Sequence, residues 1–112
     1  MPARNDFSTS DLACIVIDNF SPLTWAEDTP QDVSVDVTLA AGTSGATIVT
    51  VNADWGDGSN DDAAAGTPPA YEWAAAGVGA KTYADPGTYP VKVTATLSNG
   101  QTQTERFEVV II

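Results

Sequence analysis

Histidine is missing from all 112 residues, and cysteine occurs once, as Cys14. Without histidine there is no ordinary general base near neutral pH, no common zinc ligand, and no Ser/His or Cys/His nucleophile arrangement. A single cysteine cannot close an internal disulfide, and inside the run LACIVI it reads as a small buried hydrophobe. Basic residues are nearly as scarce: Arg4, Lys81, Lys92 and Arg106 stand against fifteen acids, for a net charge of -11. Such a surface repels phosphate backbones and anionic lipid head groups, so neither nucleic acid nor a membrane is expected as a partner. Spread along the chain, the acids keep a β-rich protein soluble and monomeric until it meets its partner. Long apolar runs are lacking too. Residues 12 to 17, flanked by Asp11 and Asp18, are too short and wrongly bordered for a signal peptide or a membrane span. With Met1 taken as the native start, synthesis in the cytoplasm without export by the usual route is expected.

What is present points to sheet. Apolar residues make up 43% and charged residues 17% of the chain, rich in valine, isoleucine and threonine, which predicts an all-β globule. A chain of this length forms one domain and buries roughly two-thirds of its unfolded surface. Residues 1 to 11 read as a polar arm, and LACIVID, 12 to 18, as a strand apolar on both faces. Residues 19 to 32 carry two prolines and read as extended loop, in which Phe20 and Trp25 either pin the loop to the core or form a binding surface.

From Val33 to Leu39, apolar and polar residues alternate as in a half-buried strand. TIVTVNADW, 47 to 55, alternates again, with Val49, Val51, Ala53 and Trp55 on one face. Residues 59 to 80 read as a long irregular loop containing a short edge strand, YEW, at 71 to 73. There Tyr71 and Trp73 either cap the open end of the core or stand out as anchors for a partner. Tyr89, Val91, Val93, Ala95 and Leu97 then share one face of a strand that leads through SNG into a last strand ending FEVVII. A two-residue turn at Asn99 and Gly100 would put Arg106 and Glu108 on the core side. A bulged three-residue loop, Asn99 to Gln101, instead sets Phe107 opposite Val93 and Val109 opposite Val91, and is the predicted connection.

Two segments in order, ADWGDGS and KTYADPGTYPVKVTATLSNG, carry a resemblance to the PKD domain, an immunoglobulin-like module. The resemblance covers about residues 33 to 112 and implies an immunoglobulin-like (PKD-type) antiparallel β-sandwich, with residues 1–32 as an N-terminal arm and first strand. It makes Trp55 the core aromatic before a turn, Gly56 and Gly58 the residues with unusual backbone angles, and Asp57 the one bonding back into the turn. Tyr83, Gly87 and Tyr89 would lock a corner, Tyr89 as a tyrosine corner bonded to backbone. Three positions depart from the pattern: Ala53 stands where tryptophan is frequent, Lys81 replaces the usual histidine, and Pro90 interrupts a ladder position, so that its amide-free side should face solvent or a loop.

The acidic stretch ADWGDGSNDD raises a metal question. The twelfth residue from Asp54 is Ala65 and from Asp57 is Pro68, where a calcium loop needs glutamate, so the EF-hand pattern fails. An irregular, weak calcium site from Asp57, Asp61 and Asp62 stays open, and no other cofactor is expected. Adjacent carboxylates on an open loop are solvated and lack a cleft to shift them, so an enzyme is not expected. The expected role is structural: a phage virion protein, most specifically a capsid decoration or cement protein that binds the major capsid protein after assembly in the host cytoplasm and oligomerises only on the particle. Its contacts would come from Phe7, Phe20, Trp25, Tyr71 and Trp73. The alternative is an extracellular adhesion or carbohydrate-binding module excised from a larger secreted protein, with Trp25 or Trp73 stacked on sugar rings.

Overall fold

The computed structural model describes residues 14–40, 45–63, 69–73 and 81–112. Its strands are β1 (Ile15–Ser21), β2 (Thr24–Trp25), β3 (Val33–Leu39), β4 (Ile48–Asp54), β5 (Asn60–Asp62), β6 (Ala70–Trp73), β7 (Gly87–Leu97) and β8 (Thr102–Ile111). They form a three-stranded sheet in the order β1-β3-β6 and a five-stranded sheet in the order β2-β8-β7-β4-β5. Among the described residues there is no helix. The fold is an all-β, immunoglobulin-like sandwich, antiparallel except that β2 runs parallel to β8.

Alternation decides the core. Val33, Val35 and Val37 from β3 meet Val51 and Ala53 from β4, Val91, Val93 and Ala95 from β7, and Val109 and Ile111 from β8. Each large aliphatic side chain so buried contributes about 1.5–3 kcal/mol relative to exposure. All three tryptophans lie in this core as well.

Several expectations need correction. Within residues 1–32, β1 is an edge of one sheet and β2 an edge of the other, and both feed the common core through Ile17, Phe20 and Trp25. Residues 19 to 21 continue β1 instead of opening a loop. Asn19 takes φ 56°, inside a register shift between Asp18 and Ser21, and the extra residue re-aims Phe20 into the core. β1 is not buried on both faces: Val16 and Cys14 are exposed, since among the described residues no further layer covers the outer side of this edge strand. Val49 is 59% exposed, because a register irregularity between Ile48 and Thr50 breaks the alternation and turns Ile48 toward the core in its place. SNDD does not begin a loop; Asn60–Asp62 is a strand paired with Asn52–Asp54.

The last hairpin has a three-residue loop, set one residue earlier than predicted. Leu97 and Gln101 are its closing pair, so Ser98, Asn99 and Gly100 form the loop, Phe107 faces Val91 and Val109 faces Tyr89. Gly100 at φ 90° is the reason: the third loop residue of a bulged hairpin must be left-handed, and glycine is there at no steric cost. Phe107 and Val109 still turn inward, since a shift of two residues leaves their face unchanged.

Candidate functional site

The turn after β4 is held by side chains of its own. Trp55 donates its backbone N–H to Ser59 at 3.0 Å, and Asp54 Oδ1 accepts the Gly56 amide at 3.2 Å. Asp57 Oδ1 accepts the Ser59 amide at 3.1 Å and its hydroxyl at 2.6 Å. Gly56 at φ 79° and Gly58 at φ 97° supply the left-handed angles that this reversal needs. Pro90 turns its amide-free side to this turn: its Cδ lies 3.1 Å from where a Cβ on Gly56 would sit.

Lys81 completes a polar knot over this turn. The residue is 8% exposed, its Nζ pairs with Asp57 Oδ2 and donates to Ser59 Oγ at 3.1 Å, and it lies 4.7 Å from the Tyr83 ring centroid and 5.7 Å from that of Trp55. A buried ammonium needs such compensation, here an ion pair, a hydroxyl and two ring faces. Burial works to raise the Asp57 carboxyl, but the hydrogen bonds from Lys81 and Ser59 and the Lys81 charge outweigh it and hold the carboxyl below its ordinary range. Tyr83 donates its hydroxyl to the Trp55 carbonyl at 2.6 Å, and burial, then the nearby Asp57 charge, push its phenol well above the usual value. Tyr89 donates to the Asp85 carbonyl at 2.9 Å, four residues upstream, and a Cβ on Gly87 would meet the Tyr89 ring at 3.7 Å.

Asp61 has a role that periodicity and spacing do not reveal. Its Oδ2 accepts Trp55 Nε1 and its carbonyl accepts Trp73 Nε1, both at 3.0 Å, so one residue of β5 satisfies both indoles, which pack edge to face at 5.5 Å. Asp62 accepts instead from Asn52 Nδ2 at 3.0 Å. Asp57, Asp61 and Asp62 thus serve three different partners. Among the described residues no group of three or more histidine, cysteine, aspartate or glutamate side chains is placed to hold a metal.

The candidate interface aromatics separate. Phe20, Trp25 and Trp73 are core residues, with Trp25 at 4% and Trp73 at 0% exposure, so they offer no ring to a partner or a sugar. Phe20 stacks on Phe107 at 4.8 Å, and Trp25 lies against Tyr83 at 5.4 Å. Phe7 lies outside the described residues. Tyr71 is half-buried and lines a cleft of about 450 Å³ at one end of the sandwich, with Val37, Leu39, Ile48 and Pro69 beside it. Burial raises its phenol also. The knot and the Asp61 clamp were hidden in the sequence because their members lie 24 and 12 residues apart; the lysine in the histidine position was the one visible sign.

No protein-family profile and no curated protein matches the chain. Among solved structures, it is similar to one described as a structural basis for the promiscuous specificity of carbohydrate-binding modules from the β-sandwich superfamily, at TM-score 0.55 and 20% identity. That match covers 91% of this chain but 34% of the other, so the chain spans about a third of that structure's length. It is also similar to a PKD domain of the Vibrio cholerae metalloprotease PrtV, at TM-score 0.43 and 20% identity over 91% and 96% of the two chains. A PKD domain of Vibrio anguillarum Epp matches at TM-score 0.47 and 19% identity over 91% and 93%. At these identities the likeness is one of fold, and the fold it shares is the two-sheet β-sandwich.

Proposed function

We propose that this protein is a non-enzymatic recognition module that binds another protein through the surface of its sandwich. The observation carrying this reading is that the groups capable of chemistry hold the fold together: Lys81 and Asp57 neutralise each other, and Asp61 serves two indoles. Binding to sugar rings by tryptophan stacking loses its platform with Trp25 and Trp73 in the core. The carbohydrate-binding neighbour therefore lends support to a binding role in general. Capsid decoration is one form of protein recognition, and the adhesion module is the other.

Photo-crosslinking of the protein in its native cells or particles tests the reading. Adducts with a defined protein are expected, and a capsid protein among them would select the virion form. Retention on a glycan array that Tyr71→Ala abolishes would overturn it, since the ligand would then be a sugar held in the cleft.

A further inference from the structure

Among the described residues, only the end of β8 has a neighbour on the side away from β7: Val110 pairs with Thr24 and Ile111 with Trp25. The hydrogen bonds fix which amides face that side. Leu97 donates to the Gln101 carbonyl at 2.8 Å, and bonded pairs recur every second residue, so Gln103, Glu105 and Phe107 turn their backbone groups toward β7. Thr102, Thr104, Arg106 and Glu108 aim theirs outward. Val110 and Ile112, of the same parity, donate outward to Leu23 and Trp25 at 2.8 and 2.9 Å. Among the described residues no strand lies beside Thr102–Glu108, and all of this stretch is exposed except half-buried Phe107.

Natural sheets blunt such edges with proline, bulges, shortness or charge. The opposite edge of the same sheet is blunted in this way, since β5 is three residues long and two of them are aspartates. The β8 edge is long, contains no proline, and keeps an unbroken register from Gly87 opposite Ile111 to Thr96 opposite Thr102.

We propose that the open edge of β8, Thr102–Glu108, receives an extended basic segment of a partner protein as an added strand. This inference rests on the protein-recognition reading and names its surface. Main-chain bonds from Thr102, Thr104, Arg106 and Glu108 would give the affinity, and Glu105 with Phe107, two residues on along the same face, the preference for a cationic residue two positions from an apolar one. A second copy is the wrong occupant. Antiparallel pairing of the whole open edge with itself centres on Glu105, setting that carboxylate against its own copy and bringing together two chains of charge -11 each. The same net charge draws a basic segment in.

Amide hydrogen exchange on the full chain tests this, with a blocked seven-residue peptide carrying lysine, valine and lysine at its second, fourth and sixth positions and threonine elsewhere as the probe, so that lysine and valine share one face. In the free protein Gln103, Glu105 and Phe107 should exchange slowly and Thr102, Thr104, Arg106 and Glu108 fast. With peptide at about ten times its Kd, the outward set should slow about tenfold and the inward set should not change. Thr104→Pro removes an outward N–H and no bond to β7, so it should abolish the slowing while inward protection survives. An outward set already slow in the free protein, with a dimer in sedimentation, would overturn the proposal in favour of a second copy. Peptide binding that maps elsewhere or survives Thr104→Pro would overturn the edge assignment and leave protein recognition standing. No peptide binding together with glycan retention would overturn both.

Discussion

Replacing Gly56 by alanine separates two costs that glycine avoids in the turn. Gly56 sits at φ 79°, and a Cβ there would lie 2.4 Å from the Pro90 carbonyl oxygen and 3.2 Å from its carbon. Gly58 sits at φ 97° with nothing within 4 Å of its Cβ position. A left-handed angle costs an L-residue about 1–2 kcal/mol, and both positions share that term. Gly56→Ala must in addition move a backbone carbonyl of β7, in a residue paired with Glu108, and overpacking of that kind costs roughly 1–3 kcal/mol more. Gly58→Ala should therefore lose about 1–2 kcal/mol and Gly56→Ala about 2–5 kcal/mol. At about 4 °C per kcal/mol the Tm values should fall by about 4–8 °C and about 8–20 °C. Thermal and urea unfolding followed by tryptophan fluorescence reads this directly, since all three indoles are buried. Equal losses in the two variants, within about 0.5 kcal/mol, would refute the close approach to Pro90 as a constraint.

Three further outcomes follow from the polar contacts. Asp57 titrates below its ordinary value of 3.8 when folded, so it adds stability above the unfolded value and loses it as pH falls through the folded one. Urea midpoints should drop from about pH 4 downward, and Asp57→Asn should flatten that part of the profile. Asp61→Ala leaves Trp55 Nε1 without its acceptor and should cost about 1–3 kcal/mol, whereas Asp62→Ala on the exposed strand should stay within about 0.5 kcal/mol. Calorimetry with millimolar calcium should give no heat with either variant or the parent. Tyr83→Phe strands the Trp55 carbonyl in the core and should cost about 1–3 kcal/mol, and in an alkaline absorbance titration the Tyr83 phenol should ionise only as the fold opens.

Strands β3 and β7, the inward set from Val51 to Trp55 and the bulged final hairpin were legible because alternation and turn chemistry act within a few residues. Where a bulge intervenes, at Asn19 or between Ile48 and Thr50, periodicity misplaces the next side chain, and so Phe20 and Val49 could not be assigned from spacing. The hairpin shows the same limit on a smaller scale: inward parity was readable, but the choice between loops 98–100 and 99–101 turned on where Gly100 could supply its positive φ.

By itself the chain's order of residues settled the class. An alternating apolar pattern and the paired motifs around Trp55 and Tyr89 mean a sandwich, and a single cysteine leaves no internal disulfide to hold it. Only the tertiary structure decided what each acid and aromatic does. Asp57 meets a lysine 24 residues on, Asp61 meets two indoles, and Trp25 and Trp73 vanish into the core, because burial and hydrogen-bond partners are set by which strands become neighbours. The same neighbour relations leave the amides of Thr102, Thr104, Arg106 and Glu108 facing outward, an edge that residue types alone do not reveal, since a backbone donor looks alike in every sequence until its partner strand is known.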